Sequence, residues 1–192
     1  MTPRLIVMLK TPHPGRVKTR LGRDIGMTRA AWWYRHQVAG LLRGLRDPRW
    51  DLVLAVSPDR EGLTSRVWPT DLPRLPQGRG DLGARMRRQL NAAPGPACLI
   101  GSDIDGLTRA HIADAFAALG RHDAVFGPAP DGGFWLIGKR AGCPLPALAP
   151  VRWSTEHALA DTRACLRGWR IAQSAQLNDI DTAADLCHAI RR

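Results

Sequence analysis

Apolar residues along this chain fall into short unbroken runs, separated by segments whose apolar positions recur at helical spacing. The run Leu5-Ile6-Val7-Met8-Leu9 has no polar face, and Leu52 to Val56, Cys98 to Ile100 and Ala124 to Phe126 repeat that pattern. Strands apolar on both sides are those of a parallel sheet covered by helices. Between the runs, a helical segment extends from about Thr28 to Arg46, with Thr28 as its N-cap. Leu82, Met86 and Leu90 share one helix face, and Ile112, Phe116 and Leu119 share another after a Thr108 cap. The alternation predicts an α/β chain, a three-layer α/β/α arrangement around a mostly parallel sheet. In such sheets ligands bind outside the carboxyl ends of the strands. The Pro-rich stretches Trp68 to Pro76 and Gly142 to Pro150 read as surface loops. Neither joins halves that could each hold a core, so the expectation is one domain over residues 1–192.

Charge adds less than its size suggests. The formal net charge is +11, from 28 basic and 17 acidic residues. Only Lys10, Lys18 and Lys139 are lysines, and the arginines are spread from Arg4 to Arg192 without a long block. That distribution reads as a composition bias rather than a nucleic-acid footprint, except for the cluster between Lys10 and Arg23. The four cysteines, Cys98, Cys143, Cys165 and Cys187, show no C-x-x-C spacing, which argues against a zinc site or a disulfide framework. The first apolar run is too short for a signal-peptide core and no later one reaches membrane-spanning length, so a cytoplasmic location is expected.

Polar residues gather in four places. Lys10, Arg16, Lys18 and Arg20 flank Gly15 directly after the first strand; such a loop suits a diphosphate, although alone it reads equally as a solvated basic loop. Asp103 and Asp105 end the third strand. Magnesium or manganese is often held by one or two carboxylates plus substrate phosphates, but a lone Asp-x-Asp is more commonly a turn into a helix. Asp131-Gly132-Gly133 leads into the apolar Phe134 to Gly138 segment, a turn that also sets a carboxylate beside aromatic rings. Asp179 and Asp181 precede Thr182, which can cap a last helix while both carboxylates remain available as acceptors.

Taken in order, these segments resemble a family of small GT-A-like glycosyltransferases, the uncharacterised-transferase group linked to arsenosugar biosynthesis. The resemblance rests on K-x-P-x-x-G-R-V-K-T-R-L from Lys10, Q-G-x-G-D-L-G-x-R-M from Gln77 and G-S-D from Gly101. It rests also on G-P-A-x-D-G-G from Gly127, W-S-T from Trp153 and D-I-D-T-x-x-D-L from Asp179. It implies a nucleotide-diphospho-sugar transferase fold, shared with the molybdenum-cofactor and phospholactate guanylyltransferases. It further implies that Lys10, Gly15, Arg16, Lys18 and Arg20 meet the phosphates, and that Gln77, Gly78 and Asp81 border the nucleotide. Asp103 and Asp181 would then hold Mg2+ or Mn2+, while Asp131, Gly132, Gly133, Trp153 and Ser154 face the sugar or acceptor. Two positions depart from the family pattern. Ile104 and Asp105 stand where relatives often have cysteine and proline, which makes Asp105 a further metal carboxylate in preference to a helix cap. Phe134-Trp135 replaces tyrosines common there, removing hydroxyl donors.

The expected activity is metal-dependent transfer of a sugar from a nucleotide-diphosphate sugar to a small-molecule acceptor. Asp131 is the candidate base, and Asp103 serves catalysis through the metal. The nearest alternative is a nucleotidyltransferase that joins a nucleoside triphosphate to a phosphorylated small molecule; Asp105 leans toward sugar transfer. From another class come a basic nucleic-acid-binding module, motivated by the charge and seven tryptophans, and a non-catalytic nucleotide sensor. No zinc-finger spacing or RNA-binding aromatic motif supports the former.

Overall fold

The computed structural model describes residues 1–190, with side chains through Cys187. The first half runs β1 (Arg4–Lys10), α1 (Thr19–Ile25), α2 (Met27–Gly44), β2 (Asp51–Ser57), α3 (Asp59–Thr64), β3 (Arg74–Pro76), α4 (Leu82–Asn91) and β4 (Ala97–Ile100). The second half continues α5 (Arg109–Ala118), β5 (Ala124–Pro128), β6 (Phe134–Lys139), α6 (Ala158–Cys165), β7 (Ile171–Gln173) and α7 (Ala183–Ile190). The strands form one seven-stranded sheet in the order β3-β2-β1-β4-β6-β5-β7. β1 pairs in parallel with β2 and β4, β2 with β3, and β5 with β7; β6 runs antiparallel to both its neighbours.

The two-sided apolar runs explain the layers. In β1, Leu5, Val7 and Leu9 join a buried cluster with Tyr34 and Val38 of α2 and Ile112 of α5. Ile6 faces the other way, onto Met86 and Leu90 of α4. Each fully buried aliphatic side chain contributes about 2 kcal/mol relative to exposure, which fixes the strand's register. No helix among the described residues is long and apolar enough to cross a membrane.

Several local expectations are corrected. Helix α2 begins at Met27 with Gly26 at the N-cap position, so Thr28 lies inside the first turn. The extra helix α1 arises within the basic segment because Leu21 is fully buried there. Both Pro-rich stretches are pinned to the core, through Trp68 and Leu72 in one and Leu145 and Leu148 in the other, and the first contains β3. Leu82 is 42% exposed, leaving Met86 and Leu90 as the buried positions of α4. Thr108 does precede α5, its N–H donating to His111 Nδ1 at 3.2 Å.

Sheet order positions the ligand site. β1 connects onward to β2 on one side while its other neighbour is β4, so the connections diverge between β1 and β4. Open α/β sheets bind ligands at such a switch point. Beyond β7 the chain crosses the strand ends. Ser174 N–H donates to Phe126 O (2.8 Å), Leu177 N–H to Pro128 O (3.2 Å) and Ile180 N–H to Asp103 O (3.0 Å).

Candidate active site

A cleft of about 650 Å³ opens at this switch point. Its polar side is assembled from three separated chain segments. The first is the basic loop after β1. Lys18 holds a left-handed backbone conformation (φ 46°), unusual for a residue with a side chain. Its side chain is 5% exposed, and the ammonium contacts Asp103 and lies 2.7 Å from Asp181 Oδ1. Arg20 reaches Asp181 Oδ2 at 3.2 Å from the solvent side. Burial alone pulls the Lys18 pKa down, but Asp103 and Asp181 together outweigh it and the net shift is upward.

The second segment is the Gly101-Ser102-Asp103 turn after β4, braced by Tyr34 from α2. Lys10 N–H donates to the Tyr34 hydroxyl (3.2 Å), which shares a 2.9 Å hydrogen bond with Ser102 Oγ. One buried phenol therefore joins the end of β1 to the turn that carries Asp103. The third segment, Asn178 to Asp181, docks on that turn. Asp105 N–H donates to Asn178 O (2.8 Å), and Ile104 forms an antiparallel bridge with Asp179. Ile104 and Ile180 are buried, so Asp179 and Asp181, on either side of Ile180, both line the cleft. Asp185 accepts from the N–H groups of Asp181 and Thr182, and Thr182 caps α7 as its position suggested.

Asp179 is the residue that sequence reasoning left out of the site. Its Oδ1 is buried with no hydrogen-bond partner. Burial, followed by repulsion from Asp103, raises its pKa to about 7. The Asp-Ile-Asp alternation, an apolar residue between two carboxylates, was the available signal. Tyr34, Ser102 and Arg85 also line the cleft and carried no individual signal.

Of the residues singled out in the sequence, Lys10, Arg16, Lys18, Arg20, Gln77, Asp103, Asp131, Gly133, Trp153, Ser154 and Asp181 line the cleft. Gln77 is buried, its amide donating to Leu9 O (3.0 Å) and Ala55 O (2.9 Å), so only its side-chain oxygen remains for a ligand. Asp131 is exposed, and its Oδ1 accepts from Gly133 N–H at 2.9 Å. Met8, Leu82, Met86, Leu99, Phe134 and Trp153 give the cleft an apolar side, with the last two rings edge-to-face at 6.4 Å.

Five of the singled-out residues lie outside the lining, each for a local reason. Gly15 (φ 75°) makes a turn within the exposed loop. Gly78 donates to Asp59 Oδ1 (3.1 Å), and a Cβ there would meet the Arg88 guanidinium. Asp81 caps α4 by accepting from Ala84 N–H at 2.7 Å. Gly132 (φ 83°) seats the next loop, since a Cβ there would fall 2.1 Å from Glu156 O. Asp105 begins the turn through Gly106 (φ 67°) and is not among the residues lining the cleft. Asp103 and Asp105 therefore do not both line the cleft, whereas Asp179 does.

The acidic set fits a hard divalent cation that brings its own oxygen ligands. Asp103, Asp179 and Asp181 converge, one with an orphaned buried oxygen. No complete cage of three His, Cys, Asp or Glu side chains exists among the described residues. Magnesium and manganese characteristically use a few carboxylates plus substrate phosphates instead of such a cage.

Comparison with known proteins agrees with this architecture. The chain belongs to the family described as uncharacterized protein conserved in bacteria (DUF2064), whose model matches residues 41–155. A structure from Desulfovibrio desulfuricans G20, provisionally named a nucleotide-diphospho-sugar transferase, is 31% identical with a TM-score of 0.86, over 96% of this chain and 84% of that one. The 4-diphosphocytidyl-2C-methyl-D-erythritol synthase of Anaerococcus prevotii shares the fold at 9% identity and TM-score 0.62, over 100% and 97% of the two chains. A Mycobacterium tuberculosis H37Rv protein solved in complex with manganese does so at 14% identity and TM-score 0.51, over 100% and 99%. No curated protein matches the sequence. The fold is thus the nucleotide-diphospho-sugar transferase (GT-A-like) fold, and the erythritol synthase shares it.

Proposed function

We propose that this protein is a single-domain transferase that moves a sugar from a nucleotide-diphosphate sugar to a small-molecule acceptor, with Mg2+ or Mn2+. The observation that carries the reading is the charge arrangement in the cleft. Lys18 and Arg20 from one segment meet Asp103 and Asp181 from two others, at the strand ends where this fold takes ligands. Manganese in the M. tuberculosis neighbour supports a divalent cation here. The cation is assigned to Asp103 and Asp181, with the substrate's phosphate oxygens completing its shell. When bound it supplies positive charge against that developing on the leaving diphosphate.

The chain's own residues do the rest. Lys10, Arg16, Lys18 and Arg20 hold phosphate oxygens through charge-assisted hydrogen bonds. Gln77 borders the nucleotide with its free side-chain oxygen. Trp153 and Ser154 flank the sugar or acceptor, with the Phe134 ring as an apolar wall. Asp131, oriented by the Gly133 N–H and otherwise open to the cleft, takes the acceptor's proton.

The position of Asp105 favours one further reading, nucleotidyl transfer. Asp105 is not among the residues lining the cleft, so the Asp-x-Asp after β4, which leaned toward sugar transfer, does not contribute as a pair. Incubation with sugar nucleotides, nucleoside triphosphates and candidate acceptors, with either metal, separates the readings by product. A released nucleoside diphosphate supports sugar transfer, and released pyrophosphate supports nucleotidyl transfer. Under both, Asp103→Ala abolishes metal-dependent nucleotide binding in calorimetry; unchanged metal-dependent affinity refutes the site.

A further inference from the structure

We infer that Lys18 stands in for the cation in the free protein, so that the cleft takes up a divalent cation together with a diphosphate, as one complex, in preference to the bare ion. The inference rests on the reading of the cleft as a metal–diphosphate site. The Lys18 ammonium lies between two carboxylates from distant segments, against Asp103 Oδ2 and 2.7 Å from Asp181 Oδ1. A magnesium ion held by those carboxylates would sit about 2.0–2.1 Å from the same oxygens, and manganese binds the same kind of oxygen site. Ion and ammonium would then be like charges in contact, so one excludes the other.

The backbone cannot make room. Val17 and Leu21 are buried on either side, so Lys18 is fixed at the start of α1 in its left-handed conformation. Only the four-carbon stem can move, and lysine is a compact charge on a flexible arm. Leaving without a new partner would strand a charge in a cleft where it is 5% exposed, which is costly. A diphosphate entering beside Lys10 and Arg16, on the same wall, gives the ammonium oxygens to move to. Each ligand thus removes the obstacle to the other, and by linkage the coupling is reciprocal. Arg20, which is 69% exposed on the outer side of Asp181, does not block the space between the carboxylates.

The test uses Mn2+ binding, read by paramagnetic resonance of the free ion and by calorimetry, with inorganic pyrophosphate as a base-independent partner. In the wild-type protein, pyrophosphate should tighten Mn2+ binding about tenfold beyond the Mn2+–pyrophosphate association in solution. Lys18→Met should bind Mn2+ alone about tenfold more tightly than wild type and lose most of the pyrophosphate enhancement. Lys18→Arg keeps the charge and should retain weak binding of the bare ion. A folded Lys18→Met protein with wild-type Mn2+ affinity and intact enhancement overturns the inference while leaving the site reading standing. If Lys18→Met does not fold, the wild type decides, because equal Mn2+ affinity with and without pyrophosphate overturns it. Asp103→Asn is the control for the underlying reading, which falls if that variant binds Mn2+ with pyrophosphate as wild type does.

Discussion

Asp179 differs from its neighbours at the scale of a single residue, because one of its oxygens is buried without a partner while Asp103 and Asp181 share Lys18. Burial and the Asp103 charge raise its pKa to about 7, from an aspartate's ordinary value of 3.8. The folded state therefore holds a proton that the unfolded chain has already released between these values. Stability must fall as pH rises through that window, since the native state binds more protons than the unfolded one. For the metal-free protein, the loss attributable to Asp179 between pH 5 and pH 8 is on the order of 2–3 kcal/mol. Asp179→Asn cannot ionise and should flatten this part of the profile, gaining stability over wild type at pH 8 much more than at pH 5. Urea melts in chelator at the two pH values check this. Equal gains at both would mean that the carboxylate titrates near its ordinary value.

Among the elements, the Asn178 to Asp181 segment couples the fold to the cleft. Its hold on the Asp103 turn consists of the antiparallel bridge to Ile104, made by two backbone hydrogen bonds, and the buried Ile180 side chain. Ile180→Ala should cost about 2–4 kcal/mol in thermal unfolding, as for other buried Ile truncations. It should also weaken Mn2+–pyrophosphate binding although residue 180 carries no ligating group. Lost stability with unchanged binding would show that Asp179 and Asp181 are placed by something else. This contact also marks where the sequence stops being legible. β1, β2, β4 and β5 can be read locally because the central residues of a two-sided strand form an unbroken apolar run. Trp68, Leu72, Leu145 and Leu148 are isolated anchors among prolines, and what buries them lies far along the chain. In the cleft, Lys18, Arg20, Asp103 and Asp181 could be picked out because each sits at a strand end or in an ordered motif. That Asp179 and not Asp105 lines the cleft could not be read, since it depends on a turn at Gly106 and on pairing between residues more than seventy positions apart.

Taken as a whole, the molecule pairs a charge of +11 with a cleft in which carboxylates and cations already face one another. Much of the excess is engaged locally. Arg46 pairs with Asp71, Arg49 with Asp47, Arg152 with Asp161, and Arg140 and Arg170 with Asp123. Arg74 donates to the carbonyls of Leu63, Ser65 and Trp68, and Arg88 to those of Gln77 and Arg79. Charges held this way form a diffuse field and not a groove, and such a field is screened over about 10 Å at 0.1 M salt. The proposed diphosphate site differs because the Lys18 side chain is almost wholly enclosed, and buried contacts are screened much less. The two kinds of anion binding should therefore separate with salt. Affinity for single-stranded nucleic acid should drop by orders of magnitude between about 50 and 200 mM salt, without sequence preference, as counterion release dictates. Affinity for pyrophosphate with Mn2+ should change only a few-fold over the same range. Fluorescence anisotropy with a labelled oligonucleotide and calorimetry with pyrophosphate, run in parallel, make the comparison. Sequence-selective nucleic-acid binding that survives 0.5 M salt, beside weak and salt-sensitive pyrophosphate binding, would reverse the functional reading. The surface arginines would then be the working residues and the Lys18 cluster a structural one.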